Sequence, residues 1–168
     1  MKTFLALSFL SLLSCSCIGG VRLPAGPPVS YEYMISGMRA APMEWYRAET
    51  LKDGSLRLLV LRGGDDDVLI VRPPEDLFQQ IDSLVRQYGL QRLKSRYKPH
   101  ADIKDGNSWS VHIRYPEDVV IRSSGYHRRP RKELQDGIAA INALLRQVAE
   151  AATGEDILGH ANYRDRDW

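Results

Sequence analysis

The chain has 168 residues, 43% of them hydrophobic and 26% charged, which suits one globular domain and gives no sign of a second. Its formal charge of +2 arises from 23 basic and 21 acidic residues spread along the chain. A nucleic-acid partner, for which a concentrated basic face is expected, is therefore not indicated.

The N-terminus reads as a targeting segment. Met1-Lys2-Thr3 supplies a short positive region, and the mainly apolar run from Phe4 to Leu13 is too short to cross a hydrocarbon core of about 30 Å but right for a secretory signal. Leu12-Leu13-Ser14-Cys15 then resembles the lipobox of bacterial lipoprotein precursors, with a branched apolar residue three before the cysteine and a small residue just before it. The resemblance implies a signal peptide over 1–14, and it implies that Cys15 is the first mature residue and carries the lipid. A lipid on Cys15 would make the membrane a partner, because several acyl chains suffice for stable anchoring. Ser16, in place of Asp, is similar to the pattern released to the outer membrane, which implies a domain facing the periplasm. The plainer alternative is an ordinary cleaved signal with an incidental Cys15. Cys17 is the only other cysteine, so an acylated Cys15 leaves no intramolecular disulfide.

From Cys15 to about residue 30 the chain is rich in Gly and Pro (Gly19, Gly20, Pro24, Gly26, Pro27, Pro28) and reads as a flexible linker. The folded domain is expected over 31–152. Tyr31, Tyr33 and Ile35 share one side of a first strand. Met43 to Leu51 and Leu56 to Leu61 flank Lys52-Asp53-Gly54-Ser55, and Asp-Gly between two β-rich runs predicts a hairpin. Gly63 to Asp67 predicts a solvated turn, since its three aspartates lack the alternation of a calcium loop. Val68 to Val71 is a short strand. Pro73-Pro74 opens a helix carrying Leu77, Ile81, Leu84, Val85 and Tyr88 on one stripe, with Gly89 placed to end it. A further strand is expected near Leu93 to Tyr97.

The clearest pattern lies in Gly106 to Tyr126. Trp109, Val111, Ile113 and Tyr115 alternate with Ser110, His112 and Arg114, the period of a strand with one buried face. A loop of Pro116, Glu117 and Asp118 sets Tyr115 opposite Val119 and Ile113 opposite Ile121, so that the apolar residues of both strands share a face. A second helix is expected from Pro130 to about Ala152, with Leu134, Ile138, Ile141, Leu145 and Val148 on its stripe and Gly137 allowing close approach to a neighbour. The tail, 153–168, has no periodic apolar pattern and reads as loose. The order of elements predicts an α+β domain, with an antiparallel sheet of about six or seven strands and two helices packed on one face.

Such a domain leaves the other sheet face open, carrying His112, Arg114, Arg122 and Ser124, with His112 opposite Arg122. Arginine forks on rigid strands match carboxylate or phosphate groups, so these four are candidates for binding an anion or an envelope protein partner; the plainer reading is a solvated face. Arg128, Arg129, Arg131 and Lys132 form a local basic patch that would meet anionic head groups or an envelope partner, against the plain reading of a solvated loop. No catalytic residues can be assigned. The sequence has no Gly-x-Ser-x-Gly elbow and no Gly-rich phosphate loop, and it implies neither a cofactor nor a metal; His100, Asp102 and Asp105 are the nearest thing to a ligand cluster. Ser123 and Ser124 lie where an enzyme would place a nucleophile, but no base is identifiable. Asp105-Gly106-Asn107-Ser108-Trp109 and the Ser-Gly-Tyr before Pro130 are similar to small uncharacterised bacterial lipoproteins, a resemblance that brings no activity with it. The expectation is a membrane-anchored periplasmic lipoprotein acting as a binding or scaffolding module. The competing class is a small hydrolase-like enzyme or inhibitor.

Overall fold

A computed structural model of the chain describes residues 21–37, 43–61, 66–99 and 106–165. Among these residues eight strands form a single sheet: β1 (Ser30–Ser36), β2 (Glu44–Thr50), β3 (Leu56–Leu61), β4 (Asp67–Val71), β5 (Arg96–Tyr97), β6 (Ser108–Arg114), β7 (Val120–Tyr126) and β8 (Ile157–Asn162). Their order across the sheet is β5-β7-β6-β1-β2-β3-β4-β8. All neighbours are antiparallel except β5 and β7, which run parallel. Helices α1 (Leu77–Tyr88) and α2 (Lys132–Ala151) cover one face, giving the α+β class read from the pattern.

The β6–β7 hairpin has the expected register. Ile113 pairs with Ile121 and His112 with Arg122, and the Tyr115 N–H donates to the Val119 carbonyl at 2.8 Å. Glu117 and Asp118 hold the tight loop with φ of 60° and 58°. The helix-side face gathers Tyr31, Tyr33, Tyr46, Leu58, Val60 and Val71 with Val111, Ile113 and Ile121, against Leu77, Ile81 and Val85 of α1 and Leu134, Ile138, Ile141 and Leu145 of α2. These are the two predicted stripes. Gly89 ends α1 in the left-handed region (φ 64°, ψ 40°), with its N–H bonded to Arg86 and Val85 carbonyls. At Gly137 the helices approach so closely that an added Cβ would stand 2.5 Å from the Tyr88 Cβ and 2.9 Å from Leu90 Cδ2.

Three expectations are corrected. Residues 21–30 are not a flexible linker, because Val21 donates to the Gln91 carbonyl, Val29 donates to the Arg114 carbonyl, and Thr50 donates to the Val29 carbonyl. Arg86 Nη2 also holds the Pro24 carbonyl at 2.6 Å. Gly and Pro composition removes side-chain signal, but the backbone carbonyls remain strong acceptors. The tail is not loose over 154–165, since β8 pairs antiparallel with β4 (Val68 with Ala161, Leu69 with His160) and satisfies an edge that β4 would otherwise leave open. Nor is the far sheet face wholly open. Trp45, Leu59, Leu61 and Val68 bury there as a second cluster under Tyr163, whose ring meets Trp45 edge-on at 5.4 Å. The strand expected over 93–97 is reduced to Arg96–Tyr97. The proposed turn at Gly63 and the cluster of His100, Asp102 and Asp105 lie outside the described residues.

Helix propensity alone makes Gly137→Ala stabilising by about 1 kcal/mol. The Tyr88 Cβ cannot swing away as a side-chain tip can, so contact should win, and urea unfolding of the Gly137→Ala variant is expected to show a loss of about 1–3 kcal/mol. A gain would show that α1 and α2 have room to separate.

Candidate anion-binding site

Two segments far apart in sequence meet at one end of the sheet. The first follows a 3-10 turn at Leu90–Arg92 and runs along β7, with Arg96 beside Ser124 and Tyr97 beside Gly125. It is held by backbone acceptors: the buried Ser123 hydroxyl donates to the Lys94 carbonyl at 2.6 Å, and the Ser124 N–H donates to Ser95. Leu93 and Tyr97 pack onto the core. Lys94, Arg96 and Lys98 are exposed on the outer side, and Arg92, the last residue of the turn, is exposed beside them.

The second segment follows β7. An added Cβ on Gly125 would stand 2.4 Å from the Arg128 carbonyl oxygen and 2.5 Å from Trp109 Nε1, so only glycine lets the chain double back there. Trp109 Nε1 fixes the return by donating to the Arg128 carbonyl at 2.8 Å, and Gln135 Nε2 donates to the Pro130 carbonyl at 2.7 Å. Arg128, Arg129 and Arg131 come to face the first segment, and Arg128 Nη1 reaches across to the Lys98 carbonyl at 3.2 Å.

Between the segments lies a cleft of about 680 Å³ lined, among the described residues, by these seven cations and by one carboxylate, that of Glu133. Glu133 is engaged by Arg92 at 3.1 Å with both side chains exposed, a pair of small energetic weight. Arg131 stands at the N-cap of α2, which has no side-chain cap, so the positive end of the helix dipole adds to the charge of the cleft. Chemically the arrangement offers guanidinium forks and ammonium donors to a multivalent oxyanion.

Three of the four basic residues singled out from the sequence, Arg128, Arg129 and Arg131, line this cleft. Lys132 does not, as it turns to Asp136 at 2.8 Å. Arg92, Lys94, Arg96 and Lys98 were missed, although a cation at every second position from 92 to 98 was a visible signal.

The sheet-face residues form a different and largely compensated array. His112 lies between Arg122 and Glu32 in one cross-strand row, and Glu32 in turn accepts from Trp45 Nε1 at 3.0 Å. Beyond it the buried Glu49 is held by Arg47 at 2.8 Å and by Arg57. Burial raises the Glu49 carboxyl, but the arginine hydrogen bonds and charges outweigh burial and lower it. Arg114 stands beside Ser30 and Val120, and Ser124 beside Ser110. With Glu32 and Glu49 supplying its counter-charge, this face has less to offer an incoming anion than the cleft does. Ser123 is buried and committed to Lys94, which removes it as a nucleophile. Among the described residues no group of three or more His, Cys, Asp or Glu is placed to hold a metal.

Comparison of the chain with protein-family models, curated sequences and solved structures finds no match.

His112 carries a testable pH dependence. Its Nε2 is buried without a hydrogen-bond partner, and its pKa is lowered from the ordinary 6.5, first by burial and then by Arg122 and Arg114, against the opposing pull of Glu32. The unfolded chain therefore binds more protons in the window below 6.5, and stability falls as pH drops through it. Relative to the wild type, His112→Gln should gain unfolding free energy between pH 7.5 and about 5. A difference constant across that window would remove the assignment.

Proposed function

We propose that this chain is a lipid-anchored envelope protein whose α+β domain is a binding module, with the cationic cleft between 92–98 and 128–134 as its site for an anionic group. The observation that carries the reading is convergence. Seven of the 23 lysines and arginines line one cleft, and among the described residues a single carboxylate, that of Glu133, accompanies them. Like charges so placed repel one another, and an incoming multivalent anion relieves that repulsion while gaining charge-assisted hydrogen bonds.

The anchoring half of the reading is supported by the Leu12-Leu13-Ser14-Cys15 run and implies attachment through Cys15 to the outer membrane, facing the periplasm. No helix among the described residues is long and apolar enough to cross a membrane. Acyl chains on Cys15 supply the attachment in this reading.

Two measurements test the two halves separately. The protein purified from membranes should have the mass of a chain beginning at Cys15 with acyl chains attached; an unmodified Cys15 would overturn the anchor. Calorimetric titration with tripolyphosphate should show binding that weakens as salt rises. Replacing Arg96, Arg129 and Arg131 together by Ser should weaken it by more than about tenfold, while the same three changed to Lys should retain most of it. Equal titrations of wild type and the Ser variant would exclude the cleft.

A further inference from the structure

The described chain begins beside the cleft. Val21 donates to the carbonyl of Gln91 at 3.1 Å, within the turn whose last residue, Arg92, is the first cation of the cleft. Leu23 packs on the core, Arg86 holds the Pro24 carbonyl, and Pro28 is buried. The backbone from Val21 to Pro28 is thus part of the domain. Six peptide steps separate Cys15 from Val21, a reach of at most about 20 Å when fully extended. A lipid on Cys15 therefore holds this end of the domain, and the cleft with it, close to a bilayer surface.

We infer that the cleft docks the domain onto anionic phospholipid head groups of the membrane that carries its anchor. The inference rests on the proposed reading for the identity of that membrane, while the preference of the cleft for head groups stands on the cleft alone. Tethering converts docking into an intramolecular event at high effective concentration, and clustered basic residues are drawn to an anionic surface within about a Debye length. Arg22 and Val21 at the junction are both exposed, a cation and an apolar residue suited to an interface. A single-stranded nucleic acid fits less well, because it calls for exposed aromatic platforms. Among the described residues the cleft's one aromatic side chain, Tyr97, lies half-buried with its ring 5.7 Å from that of Trp109, and its hydroxyl accepts from the Lys94 N–H.

The experiment uses the protein as purified from cells, with its mass recording whether Cys15 is acylated. It is mixed with vesicles of phosphatidylcholine alone or of phosphatidylcholine with phosphatidylglycerol, then treated with a lysine-modifying reagent and read by peptide mass spectrometry. Lys94 and Lys98 are expected to react several-fold more slowly on the anionic vesicles, with Lys52 at the β2–β3 turn unchanged as an internal control. The Arg96, Arg129 and Arg131 to Ser variant should lose that protection, and its partitioning to anionic vesicles should fall roughly 100-fold when measured without the anchor. Equal reactivity of Lys94 and Lys98 on the two vesicle types would overturn the inference. So would protection by a single-stranded oligonucleotide with none from anionic vesicles, or by tripolyphosphate alone. Should the mass show no acyl chain, co-sedimentation with anionic but not neutral vesicles would still uphold docking while the anchor reading falls, so the two can fail independently.

Discussion

The architecture depends on β1, the strand through which the two halves of the sheet are joined. It pairs on one side with β2 and on the other with β6, residue for residue from Ser30 to Ile35. On the helix side its Tyr31 is wholly buried and donates from its hydroxyl to Asn142 Oδ1 of α2 at 2.7 Å. That bond satisfies two polar groups that would otherwise be costly inside a core, and it fixes where along the sheet α2 lies. The position of α2 determines where its N-terminus meets the end of β7. The cleft is thus a consequence of how the sheet centre and the second helix are locked together.

What was legible in the sequence was whatever repeats locally. The β6–β7 register follows from alternation plus loop length, and each helix stripe follows from its 3.6-residue period. The cleft was hidden because it joins residues 92–98 to 128–131 through a parallel pairing of only two residues, Arg96 with Ser124 and Tyr97 with Gly125, too short to leave a pattern. Gly125 reads as an ordinary strand glycine until the Arg128 carbonyl is placed 2.4 Å from its absent Cβ. Net charge concealed it further, since +2 for the whole chain is compatible with one end being strongly positive. β8 escaped notice for a similar reason: Ile157 and Leu158 are both exposed, so no alternation marks it, and the pairing comes from backbone groups of β4.

The two arginine-bearing regions show how a charge count misleads. On the sheet face Arg47 and Arg57 share the carboxylate of Glu49, and His112 stands between Arg122 and Glu32, so attraction is largely spent within the protein. At the cleft, cations face cations. In a medium of high effective dielectric each repulsion is modest, of order 1 kcal/mol at close range and screened by salt, but there are several and they share one volume. Electrostatic potential follows arrangement more closely than it follows number.

The walls of the cleft are kept in place by neutral groups. Ser123 and Ser124 hold the first wall, while Trp109 and Gln135 hold the second, every one through a backbone carbonyl or N–H. Most of this positioning is independent of the charges positioned, although Arg128, through the Lys98 carbonyl, and Arg92, through Glu133, also tie the two walls together. Arg131 and Lys132 at the start of α2 also oppose the helix dipole, a local conflict that packing does not explain. Conflicts between a local rule and the global fold gather where a protein does something besides fold. Here one such conflict, the like-charge crowding and the glycine-dependent chain reversal all fall at one end of the molecule, beside the point at which the chain enters the domain.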